Sequence, residues 1–382
     1  MSTAMSSDSD TDVEWPEEVD DYVKECELSS GMFSTVVLAH VRGAVRQKAV
    51  LKARGLVGLD DYRDRLCLAD VKALTKLDHP NIIECYTFIE EEDGCWGQED
   101  ARGDQRDSQE RARLVLVLEY ADRGNLEQLI KDTYLTKQKR LPEAQIWRLF
   151  AQIAAAIAHV HEKRILHRDL KPAKVLLHGP QLTVKVSDFG MCRLFSPNSA
   201  RADTQLGTPY YMCPERVTQS DYSFASDVWS MGCILYEMTC GDSMFWSETT
   251  NKFALYKHIE TANFPPLPDH EQRTPHHKLL VRLCLQLDFG RRPTAAQLQR
   301  FADKMDVVLR AGVTAFRVGW PLALVALRSA EHLLRGASRA CGYLDAVYRA
   351  LHCDFARVWC EEYELMCADR CSFTSAALDD RE

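Results

Sequence analysis

The sequence predicts an α+β chain in which a small strand-rich part precedes a larger helical part, and three observations carry that prediction. Short β-branched or apolar runs, Val36-Val37-Leu38 and Ala49-Val50-Leu51, flank the connection Val41-Arg42-Gly43, as strands joined by a turn do. Farther on, Ile146, Phe150, Ile153, Ile157 and Val160 recur at steps of four, three, four and three, which lays them along one face of a helix. Past about Asp303, Val307 to Leu334 and Leu344 to Met366 read as further helices separated by Gly336-Ala337-Ser338 and Gly342.

The elements follow in order. Residues 1–21 carry no Lys or Arg but eight acids (Asp8, Asp10, Asp12, Glu14, Glu17, Glu18, Asp20 and Asp21) and no apolar periodicity. Such a segment buries too little to offset the entropy of ordering it, so a disordered tail is expected. It is also the opposite of a signal or transit peptide, which predicts a cytoplasmic protein. Strand pairs are expected from Tyr22, a helix over Asp60 to Leu77, and strands at Ile82 to Ile89 and Leu114 to Leu118. The stretch 90–113 between those strands is almost wholly charged, Gly or Gln and predicts a surface insertion. Short strands are expected at Val175-Leu176-Leu177 and Val184-Lys185-Val186, with helices from Phe224 onward.

Composition excludes several classes. The 382 residues carry a formal net charge of -9, without the basic excess of nucleic-acid or anionic-lipid binders, so neither partner is expected. The longest apolar run, Val318 to Leu327, is bracketed by Arg317 and Arg328 and falls short of the roughly 20 residues a bilayer needs. Fourteen cysteines in a chain without a secretory signal predict reduced thiols rather than a disulfide framework. Five lie in the extension 306–382, where Cys353, Cys360 and Cys367 are seven apart, with Cys371 four beyond. That spacing shares a helix face with Val347, Leu351 and Val358. No close Cys-x-x-Cys pair occurs there, which favours a packing face over a zinc site.

Six motifs carry the functional reading. His167-Arg168-Asp169-Leu170-Lys171-Pro172 precedes Asp188-Phe189-Gly190 by about twenty residues. Upstream lie Leu28-Ser29-Ser30-Gly31-Met32-Phe33-Ser34-Thr35-Val36 and Ala49-Val50-Leu51-Lys52; downstream lie Gly207-Thr208-Pro209-Tyr210-Tyr211-Met212-Cys213-Pro214-Glu215 and Ser226-Asp227-Val228-Trp229-Ser230-Met231-Gly232. In this order they resemble a eukaryotic serine/threonine protein kinase over about Tyr22 to Met305. Gly207 to Glu215, Tyr236-Glu237-Met238 and Phe264-Pro265-Pro266-Leu267-Pro268 resemble the NIMA-related kinase family in particular.

The resemblance implies a bilobal kinase fold over 22–305, ATP and Mg²⁺ as cofactors, and protein Ser/Thr hydroxyls as substrates. Asp169 would orient the hydroxyl, Lys171 would meet the transferring phosphate, and Asp188 would bind Mg²⁺. Lys52 would contact the α/β-phosphates, with Leu28, Ser29, Ser30, Gly31, Val36, Val50, Glu119, Ala121 and Leu176 around the nucleotide. Glu215 would pair with Arg292, Asp227 would hold the catalytic-loop backbone, and Thr208 would favour Ser/Thr specificity. Thr204 falls at the family's activating phosphosite, with Arg168 and Arg193 as phosphate partners. The resemblance also implies a role in cell division or around microtubules and cilia, hence cytoskeletal or nuclear association.

Four departures cluster at the nucleotide side. Lys174 stands where the family places the Asn that binds a second Mg²⁺, and an ammonium cannot ligate a metal. It would instead supply part of that metal's charge, leaving a one-metal site on Asp188. Asp70 replaces the helix Glu that pairs with Lys52, since no Glu occurs between Ala53 and Ile83. Val50 replaces the Ala that packs on adenine, and Ser29 replaces a glycine. Two readings therefore stay open: an active kinase resting on Asp169, Asp188, Lys52 and Lys171, or a weakly active or inactive pseudokinase serving as a binding module. The extension 306–382 is expected to mediate self-association or to bind a partner protein.

Overall fold

The computed structural model describes residues 14–30, 34–55, 75, 77–91, 113–188, 210–218, 222–243, 252–267, 276–307 and 309–310. The chain divides into two compact units, one formed by residues up to Arg123 together with Leu177–Ala200, the other by Gly124–Leu176 and the residues from Arg201.

The first unit is built on five antiparallel strands in the order β1-β2-β3-β5-β4: β1 (Tyr22–Ser30), β2 (Ser34–Val41), β3 (Ala44–Gly55), β4 (Cys85–Glu91) and β5 (Arg113–Leu118). Alternation sorts their side chains. Ala39, Ala49, Leu51, Ala53, Ile89, Val115 and Val117 make one buried face, while Val36, Val50 and Lys52 fall on the other with Leu116 and Leu118. The β2–β3 turn is Arg42-Gly43, and Gly43 takes φ 82°, a conformation that costs a side chain but not glycine.

The ordered fold starts ahead of the expected boundary at residue 21. Trp15 stacks on Tyr86 with ring centroids 4.0 Å apart, Val19 is buried, and Tyr22 Oη donates to the Pro16 carbonyl at 2.8 Å. Two apolar side chains and a hydrogen-bonded anchor outweigh the acidic composition, so this part of the tail covers the buried face of the sheet. β4 begins at Cys85 rather than Ile82 because Ile82 and Ile83 instead join Val186, Ile83 N donating to its carbonyl at 2.9 Å. β4 and β5 stay paired out to Glu91 and Arg113, and the residues of the expected insertion between these two lie outside the described residues. The helix expected over Asp60 to Leu77 lies largely outside the described residues.

The second unit is helical: α1 (Leu126–Lys131), α2 (Glu143–Glu162), α3 (Pro214–Val217), α4 (Phe224–Cys240), α5 (Lys252–Glu260), α6 (His276–Cys284) and α7 over residues 295–307. Asn125 and Gln128 cap α1 reciprocally at 2.9 and 3.1 Å. The predicted face of α2 is buried along its length, joined by Trp147, whose ring lies 5.8 Å from Phe301 of α7. α4 is buried on nearly every side, as a helix at the centre of its unit must be. It ends at Gly241, φ 89°, where a Cβ would meet the Tyr134 ring at 2.1 Å. β6 (Val175–His178), within which the division falls, pairs with β7 (Thr183–Val186).

The α+β order expected from the sequence is the order observed. The six described cysteines, Cys26, Cys85, Cys213, Cys233, Cys240 and Cys284, are free thiols. No described helix is long and apolar enough to cross a membrane. The extension 306–382 and its cysteine face lie outside the described residues, apart from its first few positions.

Candidate active site

In the first unit, ladder register decides which side chains share a surface. Val36 pairs with Lys52 and Lys52 with Leu116; Leu38 pairs with Val50 and Val50 with Leu118. Val36, Val50 and Lys52 therefore form neighbouring rows of one face. Lys52 is 9% exposed, and its Nζ donates to Asp188 Oδ1. Burying an ammonium to that depth requires an opposite charge. Asp188 itself takes φ 66°, the left-handed region disfavoured for side chains, and such strain persists only where the surroundings hold it.

Glu119 and Ala121 follow β5 and are half-buried. Glu119 Oε2 accepts from Lys185 Nζ at 2.8 Å and from the Glu84 amide at 3.2 Å. Leu28, Ser29 and Ser30 close β1 and are exposed.

In the second unit, the loop after α2 is fixed by one carboxylate. Asp227 is fully buried near the start of α4 and accepts from the amides of His167 and Arg168, both at 3.0 Å, and from Tyr222 Oη at 2.7 Å, while His161 Nε2 lies 2.8 Å away. Burial would push its carboxyl up, but the contact with His161, the positive character of His161 and His167, and the Tyr222 bond outweigh that and lower it. Held this way, Arg168 adopts φ 67°, and its carbonyl accepts from Arg216 at 3.1 Å. Asp169 follows with 41% of its side chain exposed and accepts from Lys171 Nζ at 2.8 Å. Lys174 ends the 3₁₀ turn Pro172–Lys174, its amide donating to the Lys171 carbonyl at 2.9 Å. Leu176, next to it, bridges Asn125.

Glu215 and Arg292 form a buried bidentate pair at 2.6 and 2.9 Å, and Ser226 Oγ donates to Glu215 Oε1 at 2.7 Å. Burial alone would raise the Glu215 carboxyl; the guanidinium outweighs it and the pKa is lowered. Tyr211 Oη donates to Glu237 Oε2 at 2.6 Å. Burial, opposed by the Tyr211 bond and reinforced by Glu127 and Asp242, pushes Glu237 up to about 7.

Within the units, sequence-predicted residues come together as Lys52 with Asp188, Asp169 with Lys171, Asp227 with the His167 and Arg168 amides, and Glu215 with Arg292. Gly31, Asp70, Thr204 and Thr208 lie outside the described residues. Sequence reasoning missed Lys185, although a lysine between two buried valines signals a buried charge in need of a partner. It also missed His161 and Tyr222, which supply two of the four groups around Asp227, and the Tyr211–Glu237 contact.

A strand-rich unit with a paired lysine and aspartate, and a helical unit whose central helix holds the loop bearing Asp169, define a protein kinase. The protein kinase domain model matches residues 22–301, and the chain belongs to that family. Among curated proteins it is similar to Nek kinases. It is 32% identical over 286 residues to serine/threonine-protein kinase nekl-2 of Caenorhabditis elegans, covering 73% of each chain. It is 33% identical over 280 residues to human Nek11, covering 72% of this chain and 39% of that one. It is 31% identical over 243 residues to the probable kinase nek2 of Dictyostelium discoideum, covering 63% and 52%. The chain thus spans well under two thirds of the latter two relatives. Kinases of this family use ATP and Mg²⁺ and act on protein substrates.

Proposed function

We propose that this chain transfers the ATP γ-phosphate to Ser/Thr hydroxyls of proteins, with residues 22–305 as the kinase domain. One observation carries the reading: a partly exposed Asp169 carboxylate, bonded to Lys171, on a loop whose backbone amides are fixed by buried Asp227. An acceptor that is fixed in place yet open to solvent is what orienting a substrate hydroxyl requires. Lys171 would neutralise the transferring phosphate, and Lys52 would meet the α/β-phosphates when it exchanges its contact with Asp188.

Mg²⁺ is ordinarily held by one or two carboxylates plus substrate phosphates, and the Asp188 carboxylate fits that role. Lys174 does not fit as a ligand; its ammonium would supply charge against the phosphates. Val36, Val50, Ala121 and Leu176 would border the nucleotide. Thr204 would be the activating phosphosite, with division, microtubule or cilium regulation as the cellular role and 306–382 as an interaction module. Lys174 also favours a second reading, a nucleotide-binding pseudokinase with little turnover.

One assay separates them. Purified protein incubated with Mg·ATP and a generic Ser/Thr substrate, followed by mass-spectrometric site mapping, should show transfer that Asp169→Asn abolishes, with Thr204 among the modified sites. Lys174→Asn should raise turnover severalfold, because an amide oxygen in place of the ammonium can ligate a second Mg²⁺. Wild-type protein without Mg²⁺-dependent transfer would leave the pseudokinase reading standing.

A further inference from the structure

The strand β7, which leads to Asp188, is stitched to the segment 81–84 before β4. Val186 N donates to the Asn81 carbonyl at 2.8 Å, Ile83 N donates to the Val186 carbonyl at 2.9 Å, and Asn81 Nδ2 donates to the Val184 carbonyl at 3.1 Å. The other side of the same segment holds Glu119, whose amide donates to the Glu84 carbonyl at 2.9 Å and whose Oε2 accepts from the Glu84 amide. Lys185 closes this arrangement directly, its Nζ 2.8 Å from that same Oε2, with 15% and 14% of the two side chains exposed. On a strand, Lys185 must point opposite to Val184 and Val186, both fully buried, so it reaches a sheltered side where an ammonium needs a carboxylate.

We propose that the Glu119–Lys185 pair is a register clamp for Mg·ATP, setting the position of Asp188 relative to the Glu119–Ala121 segment. Lys185 and Glu119 are then positioning residues. This rests on the reading of Asp188 as the metal ligand and of Glu119–Ala121 as the adenine-receiving segment. Three strand residues span about 10 Å, so pinning Lys185 to Glu119 fixes where β7 delivers Asp188. The left-handed φ of Asp188 adds to the need, because that conformation is kept only if both ends are held. Lys185 holds the strand before it, and Lys52 holds its carboxylate. Adenine binding alone uses one end of this arrangement; phosphate and metal binding together with adenine use both.

The test is calorimetric titration of the full chain with Mg·AMP-PNP and, separately, with adenosine. Lys185→Met should weaken Mg·AMP-PNP roughly tenfold while adenosine changes by less than about twofold, an uneven loss expected of coupled groups. Glu119→Gln alters only a side chain already taken by Lys185 and the Glu84 amide and leaves the 119–121 backbone to receive adenine, so it should do the same, and the double variant should be no worse than either single one. Lys185→Arg, which keeps the charge, should retain the wild-type ratio of the two affinities. Should Lys185→Met not fold, the neutral isostere Glu119→Gln carries the comparison. An equal loss for both ligands would make the pair a general stabiliser and overturn the clamp, as would an unchanged or rising ratio. Wild-type protein that binds neither ligand overturns the nucleotide reading itself, and the clamp with it.

Discussion

The two units hold charge in different ways. In the helical unit Asp227 is fully buried with four polar groups around its two oxygens, and Glu215 receives both arms of Arg292 plus the Ser226 hydroxyl. In the strand-rich unit Lys52–Asp188 keeps 11% and 18% of its two side chains exposed. A carboxylate saturated by protein donors has nothing left to offer a ligand and serves to fix the backbone. A pair that water still reaches can exchange one partner for a phosphate or a metal at modest cost. The difference separates scaffold from chemistry without reference to motif names.

The contrast is broken most severely at Arg292. Replacing it with Met keeps most of the volume but leaves Glu215 buried without its guanidinium, which should cost about 3–5 kcal/mol of stability. Urea denaturation followed by tryptophan fluorescence, with Trp229 beside the guanidinium at 5.1 Å, would report it. A loss below about 1 kcal/mol would place Glu215 among the exchangeable charges instead.

Glu237 tests the same idea through pH. It is buried like the scaffold carboxylates but has a tyrosine rather than an arginine as partner, and its pKa rises from the ordinary 4.5 to about 7. Between those values the folded chain binds a proton that the unfolded chain does not, so stability falls as pH rises from about 4.5 to about 7 and is level above. The swing should amount to roughly 1–3 kcal/mol. Glu215 and Asp227, whose pKa values are lowered, act oppositely: their contribution is present above the unfolded carboxylate range and is lost as pH falls below it. Unfolding free energy measured from pH 5 to 8 should therefore slope downward in the wild type and flatten in Glu237→Gln. An unchanged slope in the variant would assign the effect to another group.

How much of this was legible beforehand follows the same division. Strand alternation and the stripe from Ile146 to Val160 express burial, and burial is written in residue type, so the fold was readable. The Glu215–Arg292 and Asp227 contacts were readable because the resemblance of their motifs to protein kinases implies them. The His161 and Tyr222 contacts to Asp227 were not, since these two come from separate places in the chain and are polar residues with no periodic signature. Nor was the role of Trp15 and Val19 readable, because two apolar residues in an acidic run count for little in composition yet suffice to cover a sheet face. The Glu119 side chain was expected near nucleotide; its carboxylate is instead taken by Lys185 and the Glu84 amide, a pairing that only the course of β7 brings about.

The smallest effect is the sharpest discriminator, and it falls on Lys52. Its stem lies in the row of Val36 and Leu116, so Lys52→Met preserves the apolar packing and removes only the ammonium. Asp188 keeps 18% of its side chain exposed, so water can take over part of the lost contact. We expect a stability change of about 1 kcal/mol or less by the same urea titration, several times smaller than at Arg292, although both substitutions delete the cation of a buried or nearly buried ion pair. Affinity for Mg·AMP-PNP should fall by at least tenfold in the same variant, since the charge that met the phosphates is gone. A loss of stability matching that of Arg292→Met would mean that Lys52–Asp188 is scaffold too, and that exposure at this level does not mark the charges that do the chemistry.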